Sequence, residues 1–365
     1  FSGASIFKVC QRDSNNPALL LRVPGDKSPD TVTRIFFKTS DPAIPAAAQR
    51  AWSASLRHAT LLFQDNDESP NISISEHITG QVGDAGLMNG EKAINYAFAL
   101  GEAVGELHCW DSSWFEEGAA SNELEVAVRS IEDMELRDHI LRLGNYSRYG
   151  KCFLDTLVTE AKTEGNIEEV AGIGRALFGL LEQDSLMARL VVGHGDLKYD
   201  NTIIRSSSTN EQPELVLVDY DRVMRLPAAA DLGCYLHDPG PRNRYPALAN
   251  RRALAEGYLR ACTASGLSVS QFSGHEIDEV VLAMEVGLLI RSLWLSTIMT
   301  TMLPKYRLVV PILREGLVRA ANLIMKSRDN SSLREQILVR GSSQVIGRGF
   351  VFPLLFRKMS KLFSR

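Results

Sequence analysis

The sequence predicts an α+β fold built from two unlike parts, a strand-rich first quarter and a helical remainder. Three observations lead there. Residues 6–39 carry three apolar runs, IFKVCQR, ALLLRV and TVTRIFFKT, separated by the turn-forming DSNNP and PGDKSPD. ATLLFQ and NISISEHI add two more around the polar turn DNDESP. After Gly80 the apolar period changes. Ile94, Phe98, Gly101, Val104 and His108 fall on one helical stripe, and helical patterns continue to about Lys326.

Each element follows from that change of period. The first three runs read as strands, an Ala-rich segment from about Ile44 to His58 reads as a helix, and the next two runs read as strands. The boundary between the two parts is the short stretch Glu76 to Gly80. Residues 206–213, SSSTNEQP, form a polar loop between two apolar strands. The longest apolar stretch, Val280 to Leu303, is long enough to span a bilayer. It carries Glu285 and Arg291 near its middle, each expensive in hydrocarbon, so a buried bundle helix is expected.

With 365 residues the chain can bury a large core. A hydrophobic content of 45% with 23% charge is that of an ordinary soluble globular protein. The net charge of −4 argues against a nucleic-acid partner. The 5 cysteines, Cys10, Cys109, Cys152, Cys234 and Cys262, are scattered and contain no CxxC. Neither a disulfide framework nor a zinc site is expected, and a reducing, cytoplasmic location is.

The most informative stretch is VVGHGDLKYDNTII, residues 191–204. Apolar VV and TII bracket a polar loop holding His194, Asp196, Lys198 and Asn201. Farther on, ELVLVD is an apolar strand that ends in Asp219. A pair of short strands would deliver Asp196, Asn201 and Asp219 to one edge. Phosphoryl transfer needs that set. One carboxylate orients the attacking hydroxyl and takes its proton, while an amide oxygen and a second carboxylate hold Mg²⁺ on the phosphates. Lys198 can reach a transferring γ-phosphoryl and offset its charge. The plain alternative is a solvated turn of Asp, Lys and Asn between two strands, and order, spacing and strand context count against it.

HGDLKYDN resembles the catalytic loop of the aminoglycoside phosphotransferase and choline kinase group, relatives of the protein kinases. The resemblance implies a bilobal protein-kinase-like fold with ATP and Mg²⁺ bound between a strand-rich N-lobe and a mainly helical C-lobe. It implies Asp196 as catalytic base, Asn201 and Asp219 as magnesium ligands, Asp221 as an assisting carboxylate and His194 as a structural residue of the loop. AAADLGCY, residues 228–235, is similar to the segment whose aspartate buttresses the catalytic loop, which gives Asp231 that role. GEAVGELH, ending at His108, is similar to the helix that follows the hinge. The ordered motifs run from Phe1 to Leu236, and the later helices are only generally similar.

In the first quarter, SGAS before a strand resembles the family's phosphate-covering loop, with Ser2, Gly3 and Ser5 letting backbone amides approach the phosphates. The alternative is an ordinary hairpin turn. Lys38, at the end of an apolar strand, stands where the ATP-phosphate lysine of kinases does, against the alternative of an exposed strand-end lysine. Kinases pair that lysine with a helix glutamate, yet no Glu occurs from Ser40 to Gln64, and Gln49 is the available partner. SEHITG resembles the hinge, with backbone groups at Glu76 and Ile78 holding adenine.

The expected organisation is therefore an N-lobe over 1–79, a helical C-lobe over 80–330 and a basic amphipathic tail over 331–365. The end of that tail, GFVFPLLFRKMSKLFSR, has no acidic residue and suits either a membrane surface or protein groove, or docking on its own lobe. The implied reaction moves the γ-phosphoryl of ATP to a hydroxyl of a small molecule: a sugar, an amino alcohol or an aminoglycoside-like compound. A cationic acceptor would need carboxylates or aromatics, for which Glu116, Glu117, Trp110, Trp114 and Trp294 are candidates beside their plainer reading as surface acids and core tryptophans. The rivals are a nucleotide-binding pseudokinase or scaffold, prompted by the missing glutamate, and a protein kinase. Against the protein kinase, no activation-loop signature separates Asp219 from Asp231.

Overall fold

The computed structural model describes residues 5–9, 18–24, 32–39, 61–65, 72–76, 80–83, 90–110, 166–181, 185–205, 214–218, 224–236, 245–267, 273–302 and 310–345, with positions 129 and 134. The five expected strands of the first quarter form as β1 (Ser5–Val9), β2 (Ala18–Pro24), β3 (Val32–Thr39), β4 (Leu61–Asp65) and β5 (Ile72–Glu76). They make one antiparallel sheet in the order β1-β2-β3-β5-β4. β3 is its central strand, and Lys38 pairs with Ala18 on one side and Ser73 on the other. The helix expected over 44–58 lies outside the described residues.

Five shorter strands follow: β6 (Gln81–Val82), β7 (Leu190–Gly193), β8 (Thr202–Arg205), β9 (Glu214–Leu217) and β10 (Met224–Pro227). β8 pairs with β6 and β9, whereas β7 pairs with β10. The strand after Asn201 and the strand leading to Asp219 are therefore neighbours, as expected, while the strand before the polar loop belongs to a different sheet. β1–β6, β8 and β9 lie in one compact unit, and the other described elements form a second.

The second unit contains α1 (Glu91–Cys109), α2 (Asn166–Leu181), α3 (Ser185–Ala188), α4 (Ala228–Leu236), α5 (Leu248–Ala264), α6 (Gly274–Met302), α7 (Val310–Ser327), α8 (Ser331–Arg340) and α9 (Ser342–Val345). In α1, Gly101, Val104 and His108 of the expected stripe are buried, but Ile94 is 36% exposed. Tyr96, Leu100 and Leu107 are buried as well, so burial is wider than one stripe. The reason is the closeness of α5. A Cβ at Gly101 would strike the Leu254 carbonyl oxygen, and one at Gly257 would strike that of Phe98. Leu100, Ala103 and Val104 beside these backbone contacts are buried in consequence.

α6 begins with a capping box in which Glu276 Oε2 accepts from the Ser273 amide and Ser273 Oγ accepts from the Glu276 amide. It then runs through the core, with Glu285 fully buried and Arg291 nearly so. No helix among the described residues is long and apolar enough to cross a membrane. Gly287 lets α6 meet α4 backbone to backbone, since a Cβ there would overlap the Ala229 carbonyl.

Residues 331–345, expected to begin a separate tail, are packed helix. Asn330 caps α8 by accepting from the Leu333 amide at 3.0 Å. Ile337 and Leu338 are buried, and Arg251 donates to the carbonyls of Leu338 and Val339. Glu285 accepts from both the amide and the hydroxyl of Ser342, at 3.1 and 2.9 Å. Buried polar partners waiting on α5 and α6 are what draw this segment in. Residues 346–365 lie outside the described residues.

Candidate active site

β7 and β10 set the site's foundation. β10 leads directly into α4, so Asp231 in the first turn of α4 comes to lie against the end of β7. Its carboxylate accepts from two successive amides, His194 N at 2.8 Å on Oδ2 and Gly195 N at 2.9 Å on Oδ1. His108, at the end of α1, donates Nε2–H to the same Oδ2 at 3.0 Å. The Tyr258 hydroxyl, from α5, is hydrogen-bonded with His108 Nδ1 at 3.1 Å and holds the ring from its other side. Burial pushes the Asp231 carboxyl up, but the hydrogen bonds from His108 and from the His194 amide outweigh it and hold it below the ordinary value.

The loop's glycines serve this clamp. A Cβ at Gly193 would lie 2.7 Å from Asp231 Oδ2, and Gly195 has φ 75°, a left-handed conformation that lets two neighbouring amides face one carboxylate. His194 is fully buried and accepts from the Asp196 amide through Nδ1 at 3.3 Å. Beyond it the chain alternates, with Leu197 and Tyr199 buried and Asp196 and Lys198 partly exposed. The Tyr199 ring stacks on Tyr96 at 5.3 Å and leans on Tyr235 at 5.6 Å. Asp196 thus projects from a loop anchored at both ends. Lys198 Nζ lies 3.2 Å from Asp196 Oδ2, with side chains 32% and 22% exposed.

Asn201 is buried, ends the 3-10 turn Tyr199–Asn201 and immediately precedes β8. One residue beyond the last ladder pair, its carbonyl accepts from Val218 N at 2.9 Å. That bond sets Asn201 beside the chain immediately before Asp219. An amide oxygen and a carboxylate are hard oxygen donors of the kind Mg²⁺ takes, one or two from protein and the rest from phosphate and water. The donor set therefore fits magnesium. Among the described residues no cluster of three His, Cys, Asp or Glu offers a complete protein cage.

The remaining expected residues are placed as follows. Ser5, Lys38 and Glu76 lie on β1, β3 and β5. Ser2, Gly3, Ile78, Gln49, Asp219, Asp221, Trp114, Glu116 and Glu117 lie outside the described residues. Trp110 follows α1 directly, and Trp294 is on α6. Tyr258 and Arg189 escaped the sequence reading, and His108 entered it only as a helix end. Arg189 Nη2 donates to the His108 carbonyl at 3.1 Å. No local pattern marks these residues, because they meet from segments far apart in the chain. Gly-His-Gly before Asp196 was the one available sign that the loop needed a special backbone.

No protein-family model matches the chain, and no curated protein does. Among solved structures it is similar to a choline kinase from Cryptosporidium parvum Iowa II, at 16% identity, covering 91% of this chain and 92% of that one, TM-score 0.50. It is similar to a choline/ethanolamine kinase family protein from Mesorhizobium loti, at 15% identity, covering 93% of each chain, TM-score 0.50. It is also similar to an ethanolamine kinase from Plasmodium vivax, at 12% identity, covering 95% of this chain and 83% of that one, TM-score 0.50. At these identities the shared property is the fold, which is protein-kinase-like, as the catalytic-loop resemblance implies.

Proposed function

We propose that this protein is an ATP-dependent phosphotransferase that moves the γ-phosphoryl to a hydroxyl of a small molecule, a sugar, an amino alcohol or an aminoglycoside-like compound. The observation that carries the reading is the Asp231 clamp, which holds the His194 and Gly195 amides and so aims Asp196 out of a rigid loop. Catalysis of phosphoryl transfer is mostly positioning and electrostatics, and a carboxylate on an anchored loop beside a partly exposed cation is suited to both.

On this reading the chain has an N-lobe over 1–79 and a helical C-lobe from 80 onward, to which residues 331–345 belong. Asp196 orients the acceptor hydroxyl and takes its proton. Lys198 exchanges its contact with Asp196 for the transferring phosphoryl. Asn201 and Asp219 hold magnesium. Bound Mg²⁺ supplies charge neutralisation on the phosphates. Backbone amides around Ser2, Gly3 and Ser5, together with Lys38, position the phosphates, and backbone groups at Glu76 and Ile78 receive adenine. The basic end of the tail is left for a peripheral membrane or protein contact. A second reading, a nucleotide-binding pseudokinase, is favoured by the absence of a glutamate from Ser40 to Gln64.

The test is ADP release in Mg²⁺ across sugars, amino alcohols, aminoglycosides and nucleosides. On the acceptor so found, Asp196→Asn should keep ATP affinity while turnover falls about a hundredfold to ten-thousandfold. Asp219→Asn should instead weaken nucleotide binding in a way that excess Mg²⁺ partly restores. Normal turnover in Asp196→Asn would overturn the mechanism. ATP binding with no turnover on any acceptor would favour the pseudokinase.

A further inference from the structure

Cys109 ends α1 and Cys262 lies in the last turn of α5, and their sulfurs are 3.5 Å apart as free thiols. The helices that carry them cannot slide. A Cβ at Gly105 would come within 2.6 Å of Ala261 Cβ, and Gly101 and Gly257 meet the opposing backbone directly. Cys262 is fully buried, whereas Cys109 is partly open. Arg189 Nη2 lies 3.9 Å from Cys109 Sγ. Cys109 is lowered to about 6 by its hydrogen bond with Cys262 and, against burial, by the Arg189 guanidinium. Cys262 is raised by the same hydrogen bond and by burial. One sulfur is thus a nucleophile and the other a protected partner. Cys234, by contrast, is pushed up to about 12 by burial and donates to the Ala230 carbonyl.

Each cysteine is also next to the clamp. His108 precedes Cys109 in sequence, and Tyr258 stands one helical turn before Cys262. Those two residues are hydrogen-bonded to each other and, through His108, to Asp231.

We propose that Cys109 and Cys262 are a reversible oxidation site for peroxides, closing to a disulfide that disturbs the His108–Asp231 hydrogen bond and loosens the 193–196 loop. The Cys109 thiolate attacks a peroxide oxygen; the O–O bond breaks, sulfur is oxidised to sulfenic acid, and the departing hydroxide is protonated to water. The Cys262 sulfur then attacks the Cys109 sulfur, the S–O bond breaks, and the Cys262 proton leaves with the hydroxyl as a second water. Two thiols and one peroxide give one disulfide and two waters, and a dithiol reverses the closure by exchange. Contraction from 3.5 Å to bonding distance moves Cys109, and His108 with it.

The experiment treats the full chain with stoichiometric hydrogen peroxide, maps peptides without reduction, and follows amide exchange over 193–196. The expected result is a Cys109–Cys262 cross-link, exchange about tenfold faster in that loop, and recovery of both on adding dithiothreitol. Cys262→Ser should stop at a Cys109 sulfenic acid trapped by dimedone. If that variant does not fold, the pH dependence of iodoacetamide labelling of Cys109 in the unaltered protein replaces it, with a midpoint expected at about 6. Cross-links through Cys10 or Cys152 instead, separate Cys109 and Cys262 peptides, a labelling midpoint above 8 by the ordinary thiol scale, or a cross-link with unchanged loop exchange would each overturn the proposal. None of these readouts depends on phosphotransfer, so they stand or fall apart from the function proposed above.

Discussion

Asp231 and Glu285 are both fully buried carboxylates, yet they end in different company. Asp231 collects two loop amides and a histidine, donors from segments that must stay in one relative position. Glu285 collects the amide and hydroxyl of Ser342 and lies 3.5 Å from Arg251, which also donates to the carbonyls of Pro246, Leu338 and Val339 and sits 4.7 Å over the Tyr245 ring. The first arrangement satisfies a turn that cannot satisfy itself, because Gly195 is left-handed there. The second ties helix ends that already have good packing. One buried acid therefore shapes a loop, and the other fastens an edge.

Removing each carboxylate's network should separate those two jobs. Asp231→Ala strips three buried donors of their acceptor, each worth about 1–3 kcal/mol, so a stability loss of about 5 kcal/mol is expected. ADP release per folded molecule should fall at least about a hundredfold with it. Equilibrium denaturation and a turnover assay on the same samples check both. Equal turnover in folded Asp231→Ala would show that the loop holds its shape without the clamp.

Arg251→Met should cost about 3 kcal/mol by leaving Glu285 and three carbonyls without their cation, and turnover per folded molecule should not change. The double variant with Glu285→Leu should regain part of that loss. A turnover defect in Arg251→Met would erase the distinction between the two centres. Gly287→Ala should cost about 2 kcal/mol or more by forcing α6 off the Ala229 carbonyl, again seen in the denaturation midpoint.

The smallest effect is in pH. Asp231 binds its proton more weakly folded than unfolded, so below about pH 4 the unfolded chain takes up more protons. Its contribution is present above that pH and is lost as pH falls through the depressed value, at a slope of up to about 1.4 kcal/mol per pH unit. Asp231→Asn should flatten that acid limb of the stability curve. An unchanged limb would mean that other carboxylates dominate acid unfolding.

Local chemistry made much of this legible before any coordinates. The alternating runs became β1–β5 because turn residues and strand patterning act over a few neighbours. The polar loop and Asp231 could be singled out because their spacing resembles a known catalytic segment. Glu285 and Arg291 argued correctly that an apolar stretch of membrane length belonged in a bundle. By itself, then, the sequence determined which segments alternate, which turn, and which short motif gathers Asp, Lys and Asn side chains in one loop.

Only tertiary structure decided who meets whom. β7 pairs with β10 and not with the strand that follows its loop, because α4 must bring Asp231 under Gly193 and Gly195. Ile94 is exposed where the helical stripe predicted burial, because α5 approaches α1 through Gly101 and Gly257 and covers a broader surface farther along. Residues 331–345 join the bundle because Arg251 and Glu285 present buried polar groups that the carbonyls of Leu338 and Val339 and the amide and hydroxyl of Ser342 satisfy. Periodicity reports what one element presents to its surroundings. It carries no information on a partner 150 residues away, and the Tyr258–His108 and Cys262–Cys109 contacts exist only once packing has brought α1 and α5 to backbone contact.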